Sequence, residues 1–160
     1  MRLTVAAVGK WKAWGKAGGK AGPERGLFEH YARRITFPFE LKEVEEKKRL
    51  PPAALKKREG ELLLAQAPDG AVIVALDEKA KPLTSVGLAK KLGAWRDDGV
   101  KDVVFIIGGA GGLHGAVKKR AQLALSFGAV TWPHLLTRGL LAEQIYRAES
   151  ILSGHPYHRE

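Results

Sequence analysis

The chain contains no cysteine, a single methionine and no apolar run long enough to cross a bilayer. Without thiols there is no disulfide, no thiolate metal site and no cysteine nucleophile, a composition compatible with a reducing compartment. The opening apolar run over 3–8 stops at Gly9-Lys10, too short for a secretory segment or a membrane span. A soluble cytoplasmic protein with no membrane partner is expected. Histidine is sparse: His30, His114 and His134 are far apart, and His155 and His158 share a tail whose only acid is Glu160. That pattern is not a ligand set, and no metal is expected. Nucleotide-binding signatures are missing as well. Between Gly15 and Gly19-Lys20 stand three residues where a Walker A motif has four, and Ala21 follows in place of Ser or Thr. A dinucleotide fingerprint starting at Gly109 would need a glycine where His114 stands. No Gly-x-Ser-x-Gly elbow supports serine hydrolase chemistry.

What is present begins with charge. The 160 residues, 45% apolar, suffice for a single domain over 1–160 with its own core. The net charge of +10 is uneven, because residues 1–60 hold 15 Lys and Arg against 7 acids whereas 61–160 hold 12 against 10. A basic first part favours a polyanionic partner through counterion release; a merely solvated basic surface is the alternative. Residues 9–26, rich in glycine and lysine, read as a flexible basic arm, with Trp11 and Trp14 packed on the body or offered to a base.

Apolar periodicity predicts strands over 2–8, 38–44, 71–76, 103–107 and 125–130, and helices over 24–34, 53–66, 85–97, 114–123 and 134–152. The last three strands are continuously apolar, as strands covered on both faces are. The expected fold is therefore α/β, a mostly parallel sheet flanked by helices. In such sheets ligands bind beyond the carboxyl ends of strands. Three of those ends stand out: Leu76-Asp77, the glycine turn 108–112, and Val130-Thr131-Trp132-Pro133. They are expected to build one pocket. The glycine turn allows close approach of a ligand to backbone, or serves topology alone. In the final helix Leu136, Leu140, Ile145 and Ile151 predict a buried stripe, with Arg138, Glu143 and Arg147 projecting elsewhere. Its apolar surface exceeds what one sheet face needs, which points to a second subunit or to deeper burial in the monomer.

RLTVAAVGK, EHYARR, VIVALDEKAKPLTSVGLA, FIIGGAGGLH, LALSFGAVTWPHLLTRGLLAEQIYRA and the ending HPYHRE together resemble the RlmH family of ribosomal RNA methyltransferases, within the SPOUT superfamily. The resemblance runs the length of the chain. It implies an α/β fold with a C-terminal trefoil knot, a homodimer, and S-adenosylmethionine-dependent methylation of N3 of a pseudouridine in a 23S rRNA hairpin loop, on the assembled ribosome. It also implies cofactor contacts at Leu76, Gly108, Phe127, Gly128, Ala129, Val130, Thr131 and Trp132.

An imide nitrogen must lose its proton to be methylated, so a base or an anion-stabilising cation is needed. The tail offers His158 as base, Arg159 as stabiliser and Tyr157 to orient or stack on the imidazole. Arg138 is either a phosphate contact or a surface ion pair with Glu143 or another acid. A non-catalytic RNA- or ribosome-binding module, or a SPOUT enzyme acting on tRNA, are the competing readings.

Overall fold

The structure, a computed structural model, describes residues 1–11, 13–14 and 20–159. Much of the expected basic arm, the side chain of Trp14 and the terminal Glu160 lie outside the described residues. Along the chain run β1 (Arg2–Val8), the short antiparallel pair β2 (Ala13–Trp14) and β3 (Lys20–Ala21), α1 (Pro23–Ala32), β4 (Phe39–Val44) and α2 (Pro52–Leu64). They are followed by β5 (Val72–Leu76), α3 (Ser85–Asp97), β6 (Asp102–Ile107), α4 (Gly115–Arg120), β7 (Leu123–Leu125) and α5 (His134–Ser153). The main sheet has strand order β4-β1-β6-β5-β7, and every neighbouring pair is parallel. Among the described residues no helix is long and apolar enough to cross a membrane.

The unbroken apolar runs have a simple cause. Successive side chains of a strand point to opposite faces, and here both faces are covered. Leu3, Val5 and Ala7 of β1 and Val103, Phe105 and Ile107 of β6 pack with Leu88 and Leu92 of α3 and Leu141, Ile145 and Ala148 of α5. Ala6, Val8, Val104 and Ile106 face the other way, against Leu63 of α2 and Val117 of α4. Each fully buried Val, Leu, Ile or Phe contributes about 1.5–3 kcal/mol. Of Thr84 and Ser85, the two residues the sequence offers as a cap, Thr84 caps α3, its hydroxyl accepting from the Gly87 N–H at 3.0 Å.

The segment read as a flexible arm over 9–26 includes β2, β3 and the start of α1, and two later elements differ in extent. The strand predicted over 125–130 is β7, shifted to Leu123–Leu125, because the chain turns immediately afterwards: Gly128 has φ +103° and Ser126 Oγ bonds both its N–H and its carbonyl. The helix predicted over 114–123 shortens to Gly115–Arg120, with His114 as its N-cap and Ala121 already extended.

α5 differs in orientation. Its buried stripe is Arg138, Leu141, Ala142, Ile145 and Ala148, while Leu136, Leu140 and Ile151 are only half-buried. Much of its apolar surface is thus covered by α1 and α3 within the protomer. Close approach is allowed by glycine: a Cβ at Gly139 would lie 2.7 Å from Leu27, and one at Gly93 would lie 2.9 Å from Leu152. Arg138 therefore does not project outward, and its ion pair is neither with Glu143 nor on the surface. It is 0% exposed, donates to Glu43 Oε1 at 2.7 Å and to the carbonyls of Val8 and Gly9 at 2.9 and 2.8 Å, and lies 4.6 Å from the Trp11 ring centroid. Three bonds and a ring face offset its desolvation, although Nε is left without a partner. Farther along, Glu149 accepts from the N–H groups of Thr36 and Phe37 and from the Thr36 hydroxyl, tying α5 to the turn before β4.

Removing the buried guanidinium leaves the half-buried Glu43 carboxylate and the Val8 and Gly9 carbonyls without their donor. Arg138→Met should lower stability by about 3 kcal/mol, and the double variant Glu43→Gln/Arg138→Met should recover part of that loss. Urea unfolding of the single and double variants checks both. An unchanged urea midpoint for Arg138→Met would show that the pair does not brace the fold.

Candidate active site

Parallel pairing puts every strand's carboxyl end on the same edge of the sheet. The order β6-β5-β7 then sets Ile107, Leu76 and Leu125 side by side, and the loops that follow them enclose a cleft of about 640 Å³, the size of a small-molecule site. Its walls are apolar: Leu76, Ile107, Leu113, Leu125, Phe127, Val130 and Trp132. Polar side chains also line it, among them Asp77, Glu78, Lys118 and Lys56, with His134 and Thr137 contributed by the first turn of α5.

The glycine loop is shaped by its own backbone. A Cβ on Gly108 would lie 3.0 Å from the carbonyl carbon and oxygen of Gly112, and Gly112 has φ +76° and donates its N–H to the Gly109 carbonyl at 3.0 Å. Only glycine meets both demands. Around Gly111, Gly112 and Gly128 a Cβ would meet nothing within 4 Å, so at these points the wall is bare backbone facing open space.

The loop 126–133 is folded by side-chain bonds that mimic a backbone turn. Ser126 Oγ accepts from the Gly128 N–H at 3.1 Å, Trp132 Nε1 donates to the Phe127 carbonyl at 3.3 Å, and the Thr131 hydroxyl donates to Glu78 Oε2 at 3.0 Å. Val130 and Trp132 nonetheless stay 59% and 41% exposed, an apolar lip at the cleft mouth. Across the cleft Lys118 bonds Asp77 at 2.6 Å, which holds that carboxyl below the usual carboxylate range. Behind the glycine loop Glu59 is pushed above that range by burial alone.

The structure brings seven of the eight expected cofactor residues together in this cleft: Leu76, Gly108, Phe127, Gly128, Val130, Thr131 and Trp132. Ala129 is exposed and does not line it. The sequence reading missed Ile107, Leu113, Leu125, Lys56 and Lys118. The first three flank the recognised turns and could have been found as the apolar residues bordering each. The two lysines carry no such signal, because they arrive from α2 and α4.

Tyr157, His158 and Arg159 do not line the cleft of their own protomer. The tail folds back on α1 and α5 instead. The Tyr157 hydroxyl donates to Glu143 Oε1 at 3.0 Å and lies 3.2 Å from the Tyr31 hydroxyl, its ring meets Tyr146 edge-on at 4.7 Å, and Arg147 lies 4.8 Å from its centroid. Burial, followed by these hydrogen bonds, pushes the phenol well above its ordinary range. His158 Nδ1 lies 3.2 Å from Arg147 Nη1, not against the Tyr157 ring. A guanidinium can only donate, so Nδ1 accepts and the neutral imidazole carries its proton on Nε2. Arg159 is exposed. Along α5, Glu143 and Arg147 are roughly 9 and 15 Å beyond Thr137, the last residue of the helix that lines the cleft, at a helical rise of about 1.5 Å per residue.

Among the described residues there is no cluster of His, Cys, Asp and Glu that could hold a metal ion. Comparison with known proteins gives a consistent result. The chain is 58% identical over 159 residues to a protein of Paramagnetospirillum magneticum named ribosomal RNA large subunit methyltransferase H, with 99% of each chain covered. Proteins with the same name from Rhodospirillum centenum and Rhodospirillum rubrum are 53% and 50% identical at the same coverage. A family profile described as "Predicted SPOUT methyltransferase" matches residues 1–158. With that match over nearly its whole length and an α/β parallel sheet in place, the chain belongs to the SPOUT methyltransferase family, whose fold implies a trefoil knot.

Proposed function

We propose that this methyltransferase transfers a methyl group from S-adenosylmethionine to N3 of a pseudouridine in a 23S rRNA hairpin loop, on the assembled ribosome, in the cytoplasm and as a homodimer. The observation that carries the donor site is the meeting of three strand-end loops around an apolar, glycine-walled cleft. The names of the relatives support the RNA of the large subunit as substrate.

The cleft fits such a donor by its chemistry. Leu76, Phe127, Val130 and Trp132 offer apolar surface to a flat base; Gly108 and Gly128, with Thr131, offer backbone at close range. When bound, S-adenosylmethionine supplies an electrophilic methyl group on a sulfonium. The protein's part is then placement, which can lower a barrier by roughly 7–11 kcal/mol, and management of the imide proton.

His158 is the proposed proton acceptor and Arg159 the proposed stabiliser of the imide anion. As docked, the one lone pair of neutral His158 is engaged by Arg147, so the imidazole acts as a base only when the tail leaves that contact. Tyr157, held as a neutral donor, anchors the tail and takes no proton. Because the trio and the cleft of one protomer are well apart, the proposed arrangement is a dimer in which the tail of one copy completes the cleft of the other. The apolar lip of Val130 and Trp132 is where such a cover would sit.

Labelled S-adenosylmethionine, offered with ribosomes, free 23S RNA and tRNA in parallel, should mark large-subunit RNA in ribosomes. Label in tRNA would redirect the reading to a different SPOUT substrate, and saturable RNA binding with no label would leave a non-catalytic module. His158→Ala should cut turnover while donor affinity stays within a few-fold; a large loss of donor binding would assign the tail a different role. Gly108→Ala should weaken donor binding by about tenfold, equivalent to about 1.4 kcal/mol, because its methyl group meets the Gly112 backbone. Equilibrium dialysis with the labelled donor reads both.

A further inference from the structure

On the α2 and α4 side, three segments bring positive charge to the border of the cleft. The turn after β4 holds Lys47, Lys48 and Arg49, all exposed, and leaves the sheet on the edge where the cleft opens. α2 begins on that edge, with Lys56 lining the cleft and Lys57 exposed beside it. α4 leans on α2 where a Cβ at Gly60 would lie 3.0 Å from the Cβ of His114; its Lys118 lines the cleft, and Lys119 and Arg120 follow, exposed.

Among the described residues Lys47, Lys48, Arg49, Lys57, Lys119 and Arg120 make no ion pair, whereas several acids nearby are already neutralised. Glu46 and Glu61 are both taken by Arg58 at 3.0 Å, and Asp77 by Lys118. Glu59 packs against Gly109, and Glu45 and Glu78, the latter in the cleft lining and bonded to Thr131, are the exposed acids of the region without an ion pair. On the other side Arg25 and Arg147 are paired with Glu29 and Glu143, while the exposed Arg33, Arg34, Lys90 and Lys91 lie away from the edge where the cleft opens and do not line it. A cluster of unpaired like charges repels itself, and a polyanion laid across it removes that cost while releasing counterions.

We infer that this ridge, formed by the 47–49 turn, the first turns of α2 and the end of α4, docks the phosphate backbone of the RNA whose loop nucleotide enters the cleft. The inference rests on the methyl-transfer reading above and adds the surface that sets the substrate's position. The ridge assigns docking to both halves of the chain, whereas net charge alone points to the first. An anionic lipid surface fits less well, because these cations come from three separate segments and are not the polar face of one amphipathic helix with an apolar face beneath it.

The test compares Lys57→Ala/Lys119→Ala/Arg120→Ala with Lys90→Ala/Lys91→Ala, which removes exposed charge from α3 on the opposite face. Binding of large ribosomal subunits and of a synthetic RNA stem-loop is measured over a series of salt concentrations, with methyl-transfer kinetics and donor affinity in parallel. The ridge variant should bind RNA at least about tenfold more weakly, with the slope of log affinity against log salt reduced by about 2–3. Its KM for RNA should rise, with kcat and donor affinity within about twofold, while the α3 variant stays near the parent protein. Equal losses in both variants would reduce the ridge to diffuse charge and overturn the inference. So would unchanged RNA binding in the ridge variant, or a loss confined to phosphatidylserine vesicles. If the parent protein methylates no RNA yet its salt-dependent RNA binding follows the ridge, the methyl-transfer reading fails and the docking surface stands.

Discussion

Everything in the molecule follows from the decision of its strands to run the same way. Parallel pairing requires each strand to be reached by a crossover, so helices cover both faces and all strand carboxyl ends share one edge. The order β4-β1-β6-β5-β7 then makes neighbours of three ends whose loops differ in chemistry: one of mixed charge that opens on Asp77 and Glu78, one of nearly pure glycine, one closed by a serine and a tryptophan. The cleft is a product of strand order before it is a product of any side chain. What the loops add is shape, since bare backbone at Gly111, Gly112 and Gly128 leaves room that a Cβ would occupy.

α5 is the second organising element. It starts in the cleft, with His134 and Thr137 in the lining, and carries the tail's anchors, Glu143 and Arg147, farther along. Its position is fixed by polar bonds made from inside. Arg138 grips two carbonyls at the end of β1 and Glu43 of β4, and Glu149 gathers the donors of the turn before β4. An apolar helix face alone would permit sliding by a turn; a buried guanidinium with directional partners does not, a use of buried charge for register.

Strand and helix identity was legible in the sequence wherever local chemistry agreed with tertiary demand. The continuous apolar runs announced two-sided burial, the Thr84-Ser85 pair announced the start of α3, and the three special strand ends pointed to the cleft. Failures came where a residue's type and its environment disagree. An arginine on an apolar helix is normally drawn outward, and nothing near Arg138 in the sequence shows Glu43 or the Val8 carbonyl waiting for it. The run Leu125 to Val130 looks like a strand because its apolar content is high, but Gly128 and the Ser126 hydroxyl turn it into a loop. Lys56 and Lys118 reached the cleft from helices remote in sequence, which no linear pattern records. The Tyr157, His158 and Arg159 trio carried a chemical signal with no address: its composition suggests proton handling, while its place depends on α1 and α5.

The bond pattern at the two ends of α5 limits how the molecule could work. A helix of 20 residues, clamped along its length, behaves as a strut, so the separation between the cleft and the Tyr157 anchor is a built-in constant that thermal bending does not close. Freedom returns only past Gly154, whose φ of +70° ends the helix. The few residues beyond it are too short a tether to span the strut backwards while Tyr157 stays seated. A single copy thus carries its cleft and its anchored tail as two separate stations on one rigid bar.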